Sequence, residues 1–475
     1  MASHNPVIKS RYLARKLWAE YPADGGVKGY HPHQVLNSQA GVCRTIGDWE
    51  RAERLLRENL DHALRSGQPG SIADCRDKLS SVLILRSKHD EAFDLATESL
   101  SYYRSSGDRK GTASALGHLG NIHYHRSQND RAMECYQEYL RLSQELDSPV
   151  DVCLALSHIG LLHYERAEYD QAMDHYRRQL EVAVKHQDHT RIYIAMGNMG
   201  NVFLDQGRHD QALHQYQEAL RYAQLVGDKQ AIAFGVGNIG IIHQKRGEYK
   251  TALEHFQRQL EIFRELGDQV HLSNALVNIG VIHVYLGDQE LARQHFLEQI
   301  AISRSFGDRP VLSYGLAMLA ELELEAGALE AAEPRLTEAI AIAQGIRLYF
   351  YLCTYQVTLA KLYFEQGRDE QAEAQAREAT ELSQKISRPD MLAYCQVLLA
   401  AIEGRRDPVK GDSLLRELLA GAEDDDLRGE ILIRLYQLRQ DEQVRLQACE
   451  LYRKLTAKTP RLSYIKALEL LEAKR

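Results

Sequence analysis

The sequence predicts an all-α solenoid of about ten antiparallel helix pairs, because one pattern of residues recurs every forty positions without insertions. One column of this register holds nine alanines in succession: Ala52, Ala92, Ala132, Ala172, Ala212, Ala252, Ala292, Ala332 and Ala372. Another holds glycine and then alanine: Gly120, Gly160, Gly200, Gly240, Gly280, Ala320, Ala360 and Ala400. So regular a period indicates one helix pair stacked on copies of itself, each burying its apolar side against its neighbours.

The ends of the predicted helices are marked by glycine, aspartate and proline. Four glycines stand where a helix ends in the left-handed conformation, and each is followed by Asp, a favoured N-cap: Gly107, Gly227, Gly267 and Gly307. Four prolines fall in the first turn of a helix, where the missing N–H costs nothing: Pro69, Pro149, Pro310 and Pro389. We therefore expect helices of about 16 to 18 residues, alternating from His33 to about Gly404.

Three segments follow from this register. Residues 1–32 are predicted to form a capping helix and a loop, residues 33–404 the regular array, and residues 405–475 degenerate repeats with a C-terminal capping helix. Irregular terminal repeats close the core that a solenoid otherwise exposes. Residues 1–19 carry four basic and no acidic side chains, so a mitochondrial presequence is the alternative for that stretch.

Composition argues against several classes of protein. The net charge of −8 disfavours a nucleic-acid partner, since phosphate binding requires a basic surface. The seven cysteines form no CxxC pair and leave an odd count, which indicates neither a disulfide framework nor a zinc site and fits a reducing compartment. No apolar run approaches the roughly 20 residues that span a bilayer. We expect a cytoplasmic protein without membrane insertion; its oligomeric state stays open.

Two motifs suggest chemistry that the repeat explains better. Gly235, Gly237 and Gly240 spell GxGxxG, but the dinucleotide fingerprint needs a strand before it, and here it falls within a helix. Four histidines share one column, and successive repeats hold them at least about 8 to 10 Å apart, too far to share a zinc ion with ligand distances of about 2.1 Å: His123, His163, His243 and His283. Both sets are predicted to pack. No catalytic motif is present, so we expect no enzyme activity, no cofactor and no metal.

The repeat resembles the tetratricopeptide repeat. That family has a small residue in the middle of helix A, a Gly-acidic-aromatic turn, and Ala followed by an aromatic residue in helix B. Here Gly240, the turn Gly247-Glu248-Tyr249, Ala252 and Phe256 take these places, and the match recurs from about Gly47 to Ala400. The forty-residue length, with helix B running on into Leu-Gly-Asp, is most similar to the LGN/Pins cell-polarity adaptors. The resemblance implies a right-handed solenoid whose concave groove binds an extended or helical segment of another protein.

Parts of that family's repertoire do not carry over. The Gα-binding GoLoco motifs of LGN/Pins are not recognisable after Ala400, so Gα binding is not inferred. The groove positions also lack the Lys and Arg set of the carboxylate clamp that binds chaperone tails.

Asparagine recurs on the face of helix A that lines the groove in the family. Asn198, Asn238 and Asn278 share one column, with Asn274 one turn before it and Asn121 and Asn201 one turn after it. Asn is a poor mid-helix residue, because its amide competes for backbone hydrogen bonds. One explanation is inheritance by duplication. The other, which the resemblance implies, is that these amides bind a peptide backbone as donor and acceptor.

The same mapping places Glu321, Glu325 and Glu365 in the C-terminal half of the groove, with Lys361 among them. These side chains form either a solvated face or a site that selects a ligand bearing Lys or Arg.

Three functions stay open. The first is a non-enzymatic scaffold or adaptor that binds a peptide segment of a partner protein. The alternative is a regulatory sensor that binds a signalling peptide or small molecule and switches conformation, with residues 1–30 as the remnant of an output domain. An unrecognised enzyme is the third.

Overall fold

The computed structural model describes residues 32–45 and 48–473, and within them it contains 23 helices and no strand. The prediction of an all-α array of helix pairs is confirmed. The predicted N-terminal capping helix and loop lie outside the described residues, apart from Pro32. The chain divides into two compact units, residues 1–235 and residues 236–475, which we call unit 1 and unit 2.

Unit 1 contains five complete helix pairs, in which odd-numbered helices are A helices and even-numbered ones are B helices. Their bounds are α1 Pro32–Thr45, α2 Trp49–Ser66, α3 Pro69–Leu85, α4 His89–Ser106, α5 Arg109–His125, α6 Asn129–Glu145, α7 Pro149–Glu165, α8 Tyr169–Lys185, α9 His189–Asp205 and α10 His209–Val226. The boundary between the units falls within α11, Lys229–Lys245.

Unit 2 continues the alternation and ends in shorter, less regular helices. Their bounds are α12 Tyr249–Leu266, α13 Gln269–Leu286, α14 Gln289–Phe306, α15 Arg309–Ala326, α16 Leu329–Gly345, α17 Tyr349–Glu365, α18 Asp369–Lys385, α19 Pro389–Arg406, α20 Pro408–Gly421, α21 Asp425–Arg439, α22 Glu442–Lys458 and α23 Leu462–Glu472.

The predicted helix ends are confirmed. The four glycines at the expected ends have positive φ, between 69° and 74°. The Asp after each of them accepts a hydrogen bond from the amide three residues on, as Asp108 does from Gly111 at 2.9 Å. Such a cap satisfies one of the donors that the first turn of a helix leaves without an intrahelical acceptor.

The glycine column receives an aromatic ring from helix B of the same repeat. A Cβ built on Gly200 would stand 2.6 Å from a ring carbon of Tyr216, and one on Gly240 would stand 2.9 Å from Phe256. No side chain fits at such distances, so glycine is what lets the two helices approach. The same contact explains the last glycine of the GxGxxG motif, which lies in the middle of α11.

The histidine column joins the two helices of a repeat. His163, His243 and His283 place Nδ1 at 2.5, 2.5 and 3.2 Å from the acidic N-cap residue of the following B helix. Each ring also stacks on a B-helix histidine, with ring centres 5.3 to 5.5 Å apart. The expected packing role is confirmed, with a hydrogen bond to the turn added to it. Within the described residues, no three His, Cys, Asp or Glu side chains gather as a metal site requires.

Candidate binding site on the A-helix face

The A-helix face is the side of the A helices that carries the six asparagines predicted to bind a peptide. In unit 1, two side chains of this face are joined to the preceding A helix. Asn198 Nδ2, on α9, donates to Ser157 Oγ of α7 at 3.3 Å. Two repeats earlier the same position holds His118, whose Nδ1 lies 2.9 Å from Oδ1 of the buried Asp77 on α3. In these two repeats of unit 1 the position therefore links an A helix to the one before it.

Asn121 and Asn201 have a structural partner that the sequence analysis did not consider. Asn201 Oδ1 accepts a hydrogen bond from Tyr216 Oη at 2.6 Å, and Asn121 does the same for Tyr136 at 2.7 Å. Both tyrosines are buried, and a buried hydroxyl without a partner costs about 1 to 3 kcal/mol. The two amides thus satisfy ring hydroxyls within their own repeats.

The signal for this pairing was present in the sequence. Asn stands fifteen residues before Tyr in two repeats, whereas Ile241 and Val281 stand fifteen residues before Phe256 and Phe296. A ring without a hydroxyl needs no polar partner at that position. Leu161, before Tyr176, is the exception.

Asn238 and Asn278 of unit 2 differ from their counterparts. Both are half-buried, and neither side chain makes a hydrogen bond within the part of the chain that the structure describes. Before Asn278, the place that Ser157 takes is held by Gly237. A Cβ there would stand 2.1 Å from Nε2 of the buried Gln259, and glycine has no side chain that could meet the amide of Asn278. The adjacent Asn274 is exposed, with Nδ2 3.5 Å from the Val270 oxygen of its own helix.

The predicted acidic residues border a charged cavity of about 570 Å³ in unit 2. Glu321 and Glu325 come from α15, and Glu365 with Lys361 from α17. Two of these four are neutralised by α21, since Arg434 Nη2 lies 2.8 Å from Glu365 and Lys361 Nζ lies 3.1 Å from Glu430. Glu365 is exposed, as a solvated face requires, and an arginine of the same chain compensates its charge.

The charges around the cavity shift one another's pKa values. Burial, followed by the nearby charge of Glu321, raises the pKa of Glu325 above its ordinary value. Burial would also raise the pKa of Glu430, but the charges of Lys361 and Arg434 outweigh it and hold that pKa well below its ordinary value. Glu430 is thus a charged partner in an ion-pair network, whereas Glu325 makes no salt bridge among the described residues, and the charges of Arg461 and Lys361 offset only part of the rise in its pKa.

A second, smaller cavity of about 230 Å³ adjoins the same acids. Its wall is mainly apolar and aromatic, with Val281, Val284, Met318 and Leu322 beside Tyr285 and Tyr314. Arg461, from the turn before α23, lines both cavities. Sequence reasoning missed Arg434 and Arg461, because the helix that carries the first and the turn that carries the second lie outside the forty-residue register.

Family models match most of the chain. One model of the tetratricopeptide repeat covers residues 77–145 and 151–224, and a second model of the same repeat covers residues 236–270. The MalT-like TPR region covers residues 266–470. The chain is built of tetratricopeptide repeats. None of these three models describes the LGN/Pins adaptors, so that narrower likeness stays a prediction from repeat length.

Solved tetratricopeptide structures share the fold at low identity. A Rap protein complexed with Competence and Sporulation Factor has a TM-score of 0.52 and 16% identity, covering 75% of this chain and 98% of its own. The quorum sensor NprR from B. thuringiensis, in its apo form, has a TM-score of 0.52 and 16% identity, covering 74% and 98%. Aspartyl phosphate phosphatase F from Bacillus subtilis has a TM-score of 0.50 and 18% identity, covering 77% and 97%. These likenesses show the fold alone.

No curated protein matches the sequence. Among the helices that the structure describes, none combines the length and the apolar composition needed to cross a membrane.

Proposed function

We propose that this tetratricopeptide protein is a non-enzymatic scaffold or adaptor, and that it binds a segment of a partner protein along the A-helix face of unit 2. The observation that carries the proposal is the pair of half-buried amides, Asn238 and Asn278, which have no partner within the described residues. A carboxamide offers two donors and one acceptor, the set that a peptide backbone complements. Both amides are partly exposed, so a bound backbone can reach them and exchange their hydrogen bonds to water for hydrogen bonds to the peptide.

Spacing favours an extended ligand. Packed helices lie about 10 Å apart, and an extended chain advances about 3.3 Å per residue, so successive A helices meet roughly every third residue. Asn238 and Asn278 stand one repeat apart and would bind one peptide at two points. Glu321 and Glu325, further along the same face, would favour a basic side chain in that segment.

The six asparagines fall into two groups, according to whether their side chains make hydrogen bonds to other side chains of the protein. Asn121 and Asn201 serve tyrosine hydroxyls, and Asn198 serves Ser157. We assign these three to the stability of unit 1, and Asn238, Asn278 and the exposed Asn274 to the ligand. Glu365 is left to its ion pair with Arg434.

A sensor is the second candidate function. One solved structure with this fold is a Rap protein complexed with Competence and Sporulation Factor, and another is the quorum sensor NprR. A sensor and a scaffold would use the same face, and they differ in whether the ligand changes the conformation. The LGN/Pins likeness supports the adaptor role by analogy only.

Selection from a displayed peptide library, followed by titration, tests the binding proposal. The double variant Asn238→Ala/Asn278→Ala should bind a selected peptide about fivefold to a hundredfold more weakly, since each lost hydrogen bond is worth about 0.5 to 1.5 kcal/mol. Its helical circular dichroism should be unchanged, because neither amide supports the fold. Undiminished affinity in the folded variant would remove these residues from the site. Hydrogen exchange that changes with ligand far from unit 2 would favour the sensor.

A further inference from the structure

One side chain stands between the two cavities of unit 2. The larger and the smaller cavity share three lining residues: Glu321, Glu325 and Arg461. Arg461 lies in the turn before α23. The carbonyl oxygen of Pro460, beside it, lies 2.8 Å from where a Cβ on Gly287 would stand, so this turn packs against the end of α13.

Arg461 is loosely bound for a largely buried arginine. Its Nη1 donates one long hydrogen bond, 3.3 Å, to Tyr464 Oη, and its guanidinium carbon lies 5.2 Å from the centre of the Tyr285 ring. Its Nε is buried without a hydrogen-bond partner among the described residues, and so is Oε2 of Glu325. A buried donor and a buried acceptor thus face the same space without meeting.

Glu323, on α15 like Glu325, is a buried carboxylate whose charge is fully paired. Its oxygens lie 2.7 Å from Arg335 Nε and 3.4 Å from Arg293 Nη1. Glu325, only two residues away, makes no salt bridge within the described part of the chain. The contrast indicates that Arg461 occupies the space beside Glu325 without forming the ion pair that would fix it there.

We propose that Arg461 is a gate between the two cavities, and that a partner segment displaces it with a basic side chain of its own. The inference deepens the proposed function and rests on it. With the Arg461 side chain turned away, the two cavities join along the face of α13, α15 and α17. The carboxylates of Glu321 and Glu325 then meet the cation of the partner.

The cavity walls specify the partner's chemistry. The carboxylates require Arg or Lys, and the smaller cavity, with Val281, Val284 and Met318 in its wall, requires an apolar side chain next to it. The chain's own segment has this order, since Leu462 follows Arg461. The segment that carries the gate therefore has the same residue types, basic and then apolar, as the ligand that we expect it to exclude.

A gate in the same chain competes with a free ligand even when its own contacts are weak, because it is tethered beside the site. A group tethered by a short linker acts at an effective concentration of about 1 mM, so a free segment of equal intrinsic affinity binds weakly until the tethered group is removed. Arg461→Ala removes the guanidinium and leaves the receptor carboxylates in place. Lys458→Ala is the matched control, because it removes one positive charge from an exposed side chain three residues earlier.

The test uses the full chain and a labelled synthetic copy of residues 457–465, AKTPRLSYI. Fluorescence anisotropy should show that Arg461→Ala binds this peptide about tenfold more tightly than the wild-type chain and Lys458→Ala do. A peptide with Ala in place of its Arg should gain nothing. Equal binding of the first peptide to all three chains, or binding to none of them, overturns the gate.

A second variant separates a gate from a structural residue. Arg461→Gln keeps a long polar side chain beside Tyr464 without the charge, and it should fold and bind the peptide as Arg461→Ala does. If both variants lose helical circular dichroism, Arg461 belongs to the core and the proposal is wrong. Library peptides that bind the wild-type chain and Arg461→Ala equally would leave the proposed function in place and overturn the gate alone. If no peptide binds either chain, both proposals fail.

Discussion

The A-helix faces of the two units show one repeat position in two roles. In unit 1, Asn198 and His118 are joined to side chains of the preceding A helix, Ser157 and Asp77. In unit 2, Asn278 follows a repeat that has Gly237 at the corresponding place, and it has no such partner among the described residues. The residue one repeat earlier thus decides whether an amide is part of the packing or open to a ligand.

The rings beneath these faces differ in the same sense. Unit 1 packs Tyr136 and Tyr216 against its glycines and uses asparagines to satisfy their hydroxyls, whereas unit 2 packs Phe256 and Phe296. Asparagines on the A-helix face therefore have different roles in the two units, because the B-helix rings that pack beneath that face are tyrosines in one and phenylalanines in the other.

The largest expected effect tests what the units share. Gly200→Leu in unit 1 and Gly240→Leu in unit 2 each force a side chain onto an aromatic ring, and each should lower the free energy of unfolding by about 1 to 3 kcal/mol or more. Gly197→Ala is the control on the same helix as Gly200, since no atom lies within 4 Å of its Cβ position. It should stabilise α9 by up to about 1 kcal/mol. Denaturant titration measures all three, and a wild-type value for Gly200→Leu would invalidate the register.

The next effect belongs to unit 1 alone and depends on pH. His158, at the position of Asn198, stacks on Tyr136 with ring centres 4.8 Å apart, and burial lowers its pKa to about 4. As the pH falls below the ordinary value of 6.5, the unfolded chain takes up a proton that the folded chain refuses until about pH 4. The free energy of unfolding should therefore decrease over that window, by about 2 kcal/mol after allowance for partial exposure.

His158→Asn isolates this contribution, because other histidines titrate equally in both proteins. The variant should lose about 2 kcal/mol less than the wild type between pH 7 and pH 4.5. Parallel stability curves would show that His158 is not the residue that resists protonation.

The smallest effect converts a unit 1 pair into a unit 2 pair. Tyr216→Phe leaves the Asn201 amide without its partner and should cost about 1 kcal/mol. Adding Asn201→Ile reproduces the Ile241 and Phe256 combination of unit 2 and should recover most of that loss, because removing both polar partners is nearly neutral. A double variant no more stable than Tyr216→Phe would contradict the pairing.

The repeat made much of the fold predictable from sequence. The glycine and alanine columns fixed which residues of helices A and B meet, and the Gly-Asp pairs fixed where helices end. The columns and the Gly-Asp pairs both recur in many repeats. The packing role of Gly200, for example, was also indicated by Gly160 and Gly240 at the same repeat position.

Contacts outside the register could not be predicted in that way. Glu365 looked available because nothing in its own repeat neutralises it, yet Arg434 approaches it from an aperiodic helix 69 positions further along the chain than Glu365, at 2.8 Å. Arg461, which lines the same cavities as Glu321 and Glu325, lies still further along the chain. The link between Asn201 and Tyr216 was missed for another reason: fifteen residues separate them, and column analysis treats each position alone.

The most direct test of the account compares two double variants in two assays, thermal melting and affinity for a library-selected peptide. Asn238→Ala/Asn278→Ala should keep its melting temperature and bind about fivefold to a hundredfold more weakly. Asn121→Ala/Asn201→Ala should melt lower, because two buried hydroxyls lose their acceptors, and bind as the wild type does. The opposite pattern, or equal loss of affinity in both variants, would contradict the division of roles between the two units.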